Sequence, residues 1–229
     1  MGDLMVLRRF TALLFGAFVV VGFGARSEAH PVPYKGAWGL MSFNSSDMTE
    51  VSLVHSFTSQ LAVATTYLKS SDSEFYIPRL NWLAKRWNNE DSQANIYLSG
   101  GIGSEVFKNE NQTVRMAGLG MDWESRRYYV LFDQMYLHRD NRRNLAIPNE
   151  SYGYMKFRMG TAPFLAEYDE LNVWLILQAE RYVGRGSGSG LGGEEVELTQ
   201  ILRFYVRNTL WEIGTRLNGG WVFNYMVHF

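Results

Sequence analysis

The chain ends in Trp221-Val222-Phe223-Asn224-Tyr225-Met226-Val227-His228-Phe229, nine residues in which every second side chain is apolar. Its odd positions are Trp221, Phe223, Tyr225, Val227 and Phe229. Its even positions are Val222, Asn224, Met226 and His228. Successive side chains of a strand point to opposite faces, so this is a strand with one wholly apolar, largely aromatic face and one mixed face. An ordinary edge strand of a soluble sheet would bury the aromatic face. A strand in a lipid-facing barrel would expose it.

The same alternation recurs upstream. In 195–206 Val196, Leu198, Leu202 and Phe204 oppose Glu197, Thr199, Arg203 and Tyr205. In 171–182 Val173, Leu175, Leu177 and Ala179 oppose Asn172, Trp174, Gln178 and Glu180, with Ile176 as an exception. In 151–160 Met155, Phe157 and Met159 oppose Tyr152, Tyr154, Lys156 and Arg158. Further strands read at 37–44, 49–57, 61–68, 76–87, 94–104, 113–123, 128–138 and 209–217, for twelve in all. Segments 61–68 and 113–123 alternate poorly. If the first hairpin is peripheral, or two weak segments are misread, the count is ten. Most segments have the ~9–11 residues that a tilted strand needs to cross the hydrocarbon.

The N-terminus has the form of an export signal. Arg8 and Arg9 precede an apolar run from Phe10 to Gly24, and Ser27-Glu28-Ala29 has the small-x-small form of a cleavage site. The run is short for a membrane anchor, which needs about 20 residues. The expected division is therefore a cleaved signal over 1–29 and one β-barrel domain over 30–229. No later segment is apolar for long enough to cross as a helix. A mature chain in a membrane must then be a closed barrel, the other structure that satisfies every backbone group in lipid.

Composition agrees. Formal net charge is −1, without the basic excess of a nucleic-acid-binding protein. There is no cysteine, which excludes disulfides, thiolate metal sites and a lipidated N-terminal cysteine. No cofactor is expected. Aromatics at 15% suit membrane–water interfaces but also many soluble β proteins.

On the signal, the strand pattern and the terminal Phe229, the sequence resembles the bacterial outer-membrane β-barrel superfamily. The resemblance implies an all-β, antiparallel up-and-down transmembrane barrel in the outer membrane. It also implies that Trp221, Phe223, Tyr225, Val227 and Phe229 act as a signal to the barrel-assembly machinery. No motif names a subfamily. Lipid and lipopolysaccharide are the expected surroundings.

With one face toward lipid, the other lines the lumen. The inward candidates are Arg79, Asn81, Lys85, Asn95, Asp133, Lys156, Arg158, Glu180, Glu197, Arg203, Glu212, Arg216 and Asn224. Either these charges pair across a narrow interior and close it, or they line a water-filled path for small solutes or ions. A passive pore is the leading reading, and a closed barrel with a structural or surface role is the alternative.

A lipid-modifying hydrolase comes third. It needs a base near a serine or a metal-bound water. His55 and Ser56 are adjacent and so face opposite sides, and no His-x-Ser puts both groups on one strand face. Three further features read as connections. His30-Pro31-Val32-Pro33 is expected to be a flexible leader outside the barrel, with no plug ahead of the first strand and no metal site at His30. The glycine-rich run from Gly184 to Gly193 is expected to be a flexible outer loop. Arg139-Asp140-Asn141-Arg142-Arg143-Asn144 is expected to be a basic outer loop, solvated or in contact with lipopolysaccharide phosphates. The longer connections should gather at the outer end, over Lys69–Phe75, Glu105–Gln112, Arg139–Glu150 and Val183–Glu194. Thr161–Glu170 is a long exception on the inner side.

Overall fold

The computed structural model describes residues 31–71, 73–107, 110–140, 151–167, 169–183 and 195–229. The signal segment, His30, the glycine-rich run and residues 141–144 of the basic stretch lie outside them. The strands are β1 (Trp38–Ser45), β2 (Met48–Ser56), β3 (Leu61–Ser70), β4 (Ser73–Asn88), β5 (Ser92–Phe107), β6 (Glu110–Ser125), β7 (Tyr128–Asp140), β8 (Ser151–Thr161), β9 (Asn172–Val183), β10 (Glu197–Val206), β11 (Thr209–Arg216) and β12 (Trp221–His228). Each pairs antiparallel with its sequence neighbours, and β1 pairs with β12, so the sheet is a closed twelve-stranded barrel.

The closing strand makes the seam. Gly39 stands opposite His228 and Ser45 opposite Val222. Trp38 N donates to Phe229 O at 2.7 Å and Phe229 N to Trp38 O at 2.9 Å, so pairing extends to the last residue. A Cβ on Gly39 would lie 2.7 Å from His228 Cδ2, so glycine lets the imidazole lie flat against the seam.

The outside is the apolar face. Ile102 is 64% exposed and Ile213 55%, and Leu80, Leu98, Leu175, Leu177, Met159 and Phe223 are exposed with them. A soluble protein buries such side chains, whereas a transmembrane barrel turns them to lipid. Trp38, Phe57, Trp82, Trp87, Trp123, Tyr128 and Phe229 ring the end that carries Pro31 and Phe229, the first and last described residues, here called the terminal mouth. Tyr76, Tyr136 and Trp221 stand at the other, the loop end. These are the two aromatic girdles of a membrane-spanning barrel.

Four sequence expectations change. The connections expected over Lys69–Phe75 and Glu105–Gln112 are mostly strand, because pairing continues past them. Ser70 and Ser73 bond at the top of β3–β4, and Glu105 stands opposite Gln112. Arg139 is the inward residue after Leu137 on β7, not a loop residue. The leader is not outside the barrel, since Val32 and Pro33 are buried. Lys85 faces outward. The β4–β5 register slips between Leu83 and Lys85, and a bulge there moves every later side chain to the other face. Lys85 lies against the outward Trp87 ring at 5.7 Å, and Arg86 takes the inward position.

Pro78 interrupts the ladder in mid-barrel. Its missing donor faces β5, and β4–β5 pairing breaks between Tyr76 and Arg79. Gly101 and Gly103 stand opposite. A Cβ on Gly103 would meet Tyr76 O at 2.1 Å, so the backbones approach closely where one hydrogen bond is lost.

Candidate functional site

The lumen is built in tiers. At the loop end on the β5–β7 side, Arg139 Nε donates to Glu105 Oε2 at 2.7 Å. Ser73 Oγ donates to the same carboxylate at 2.8 Å, and the guanidinium lies 4.8 Å from the Phe107 ring. The two charged side chains are 1% and 0% exposed, so this pair is sealed from water. On the opposite side Arg216 bridges Asp47 and Glu197, the latter at 3.2 Å.

Below that lies an apolar layer of Leu68, Phe75, Ile77, Val114, Met116, Met135, Leu137 and Tyr182, with Met48 and Tyr154 against it. Leu68 on β3 and Tyr182 on β9 come from opposite walls of the barrel. The packed cluster therefore runs round half the barrel, from β3 to β9. The side chains packed here are apolar apart from the two tyrosine hydroxyls, and such packing keeps water and solute from the part of the lumen it fills.

The third tier holds the paired charges. Glu212, on β11, accepts from Arg203 Nε at 2.8 Å and from Arg158 Nη1 at 3.1 Å, and Asn224 Nδ2 donates to it at 2.6 Å. Arg158 Nε also donates to Gln178 at 2.7 Å. The Arg203 guanidinium lies 4.3 Å from the Tyr129 ring on β7. Lys156 pairs with Glu180 at 3.4 Å, and Tyr154 donates to Asp133 at 2.8 Å. Arg79 reaches Glu50 only at 4.0 Å and Ser52 Oγ at 3.4 Å. A buried charge is tolerable when paired and hydrogen-bonded, and every cation here has an acidic neighbour.

Beside this tier a cavity of about 790 Å³ opens at the terminal mouth. It runs along β5 and β6, where the inward residues Ser99, Gly118 and Gly120 are small. Tyr97, Tyr129, Trp174 and Tyr205 give it aromatic walls. Its ceiling is the underside of the apolar layer at Met48, Met116, Met135 and Tyr154. Glu90, Asp91, Asp122, Glu124 and Glu167 line its rim, with Arg126. Arg126 reaches Glu167 of the neighbouring connection at 3.4 Å.

Of the residues read as inward, Arg79, Asn81, Asp133, Lys156, Arg158, Arg203, Glu212 and Asn224 line this cavity. Asn95 is buried under it, between Arg86 at 2.7 Å and Asp122 at 2.7 Å. Glu180 is buried behind Lys156, and Glu197 and Arg216 belong to the loop-end tier. Lys85 alone is on the outside. The sequence reading missed Arg86, Glu105 and Arg139. Counting by twos from Asn95 through Gly103 reaches Glu105, and from Asp133 through Leu137 reaches Arg139, so both were within reach.

The histidines sort by face. His55 lies on the outside between Trp38 and Phe57, with ring centroids at 4.5 and 5.0 Å. His138 Nδ1 lies 2.8 Å from Ser151 Oγ on the neighbouring strand, a contact that within-strand spacing does not reveal. Asp140, the carboxylate two residues along from this imidazole, is held by Arg115 at 3.2 Å. Among the described residues no group of three or more His, Asp or Glu is placed to hold a metal ion.

No protein-family model and no curated protein matches the chain. Among solved structures it is similar to the KdgM porin in complex with disordered oligogalacturonate, at 8% identity and a TM-score of 0.47, over 84% of this chain and 98% of that one. It is also similar to the NanC porin, at 8% identity and a TM-score of 0.44, over 83% and 97%. The translocator domain of the autotransporter NalP from Neisseria meningitidis gives 12% identity and a TM-score of 0.43, over 98% and 93%. The closed twelve-strand order and the apolar exterior make this chain a transmembrane β-barrel.

Proposed function

We propose that the chain is exported with cleavage after Ala29 and works in the bacterial outer membrane as a narrow channel for small solutes or ions, closed at its loop end in this conformation. The observation that carries this reading is the cavity of about 790 Å³, which enters from the terminal mouth and reaches the middle of the lumen. A barrel serving only as a scaffold has no need of a water-sized space walled by charged and aromatic side chains. In this reading the apolar layer is a hydrophobic gate, a constriction that conducts when its side chains part and dewets when they close. Trp221, Phe223, Tyr225, Val227 and Phe229 serve as the address for the assembly machinery, and the loop end faces lipopolysaccharide.

The second reading is a permanently closed barrel. The sealed Arg139–Glu105 pair and the packed apolar cluster beneath it favour it. Conductance in a planar bilayer separates the two. The channel reading expects brief, small current steps from the natural chain and a severalfold larger step from Phe75→Ala combined with Leu137→Ala. Correctly folded protein that stays silent in both forms would establish the closed barrel.

A further inference from the structure

We propose that Pro31–Ala37 is a strap that turns back into the terminal mouth, narrows the lumen there, and widens the path when it leaves. This rests on the channel reading. The turn is fastened to the end of β2. Gly36 N donates to Ser56 O at 2.7 Å, Ser56 N donates to Ala37 O at 3.0 Å, and Ala37 N closes onto Tyr34 O at 3.0 Å. Gly36 has φ +83°, a conformation that side chains disfavour, and it is this residue that reverses the chain toward the lumen.

Beyond the turn the strap occupies a made space. Val32 is 1% exposed and packs in one cluster with Met41, Val54, Ala62, Ala64, Leu83 and Tyr97. The inward residues of β3 at this level are alanines, and the room they leave is the room Val32 fills. Asn81 Nδ2 donates to Pro31 O at 3.0 Å, and Pro31 lines the cavity. Composition suits insertion. Pro31 and Pro33 have no N–H to satisfy, so of these three residues only Val32 brings a backbone donor into the lumen, and the fixed proline φ lowers the entropy lost on ordering. Pro31–Pro33 is held by the buried side chains of Val32 and Pro33 and by one side-chain hydrogen bond. Those are the contacts of a part that can leave, unlike the ladder-bonded strands around it.

The chain has no cysteine, so introduced thiols report without interference. The experiment uses the full processed chain folded in liposomes. Val32→Cys and, as the exposed comparator, Lys35→Cys are each treated with a membrane-impermeant maleimide. The thiol at position 32 should react many times more slowly than that at 35, and Asn81→Ala should speed it. Equal rates would overturn the strap, whether or not any current is ever recorded. In a second arm Val32→Cys is paired with Ala62→Cys, with each single variant as control. Oxidation should lower the conductance and reduction restore it. A protected thiol with equal conductance in both redox states would overturn the gating role. Silence in both states, with the thiol protected, would overturn the channel reading and the gating with it.

Discussion

The loop-side and mouth-side halves of the lumen are filled by different means. On the loop side, apolar side chains from β3, β4, β6, β7 and β9 pack into one cluster, capped by an ion pair sealed from water. On the mouth side, charges on β8, β10 and β11 pair with one another along their own wall, and the facing wall of β5 and β6 carries glycine and serine. Paired charges there stay near their backbones, because each is satisfied by a neighbour one to three strands away. Apolar side chains have no such partner and approach one another until the space is gone. The same backbone cylinder thus holds a packed apolar cluster in one half and a cavity in the other. The difference lies in what the inward residues need: contact in one case, hydrogen bonds in the other.

Substitutions that leave a charge alone should separate the halves most sharply. Arg139→Ala strands Glu105 at a site without water, and removing one partner of a buried pair costs about 3–5 kcal/mol. Arg139→Met with Glu105→Leu removes both charges and should recover most of that loss. Guanidinium unfolding followed by tryptophan fluorescence reads both. An Arg139→Ala variant as stable as the parent would mean that water reaches this tier, and the picture of a sealed loop end would fail.

Leu137→Ala tests the layer itself. Truncating a buried leucine should destabilise by about 3 kcal/mol, and the void should extend the mouth-side cavity toward the loop end. A rise in conductance of this single variant, at unchanged fold by heat-modifiable gel migration, ties the void to the path. Glu212→Gln makes the corresponding change in the mouth half. It keeps an acceptor for Arg158, Arg203 and Asn224 but removes the charge that two guanidinium groups share. Both arginines line the cavity and can recruit water, so the loss should be about 1–3 kcal/mol, below that of Arg139→Ala. Equal losses would erase the distinction between a dry half and a wet one.

The same distinction explains what the sequence disclosed. Alternation was plain in β8, β9, β10 and β12, whose inward residues include Lys156, Arg158, Gln178, Glu180, Arg203 and Asn224. It was poor in β3 and β6, where the inward residues Leu68, Val114 and Met116 are as apolar as the outward ones, because they belong to the occluding layer. The weak pattern is therefore the trace of that packed cluster, and periodicity alone does not tell it from a doubtful strand. Lys85 was misplaced for a different reason. One bulge reverses the period, and nothing in Leu83-Ala84-Lys85 announces it. The seat of Val32 is a matter of three-dimensional room beside Ala62 and Ala64, which no local pattern encodes. His138 and Ser151 meet only because β7 and β8 are in register.

The smallest effect is expected at the rim. Arg126 and Glu167 are 57% and 77% exposed, and such a pair contributes about 0–1 kcal/mol, so Arg126→Ala should leave unfolding almost unchanged. Its electrical effect should not be negligible. Arg126 is the basic side chain among Glu90, Asp91, Asp122, Glu124 and Glu167 at the edge of the cavity, and removing it makes the mouth more negative. Reversal potentials across a salt gradient should then shift toward cations at low ionic strength. The shift should fade near 1 M salt, where screening acts over about 3 Å. A shift that persists at 1 M salt would place these carboxylates in a narrow, poorly screened part of the path rather than at an open rim. A charge at this mouth is set by water and ions, whereas a charge at the loop end is set by its single partner. The same kind of substitution therefore alters conduction at one end of the barrel and folding at the other.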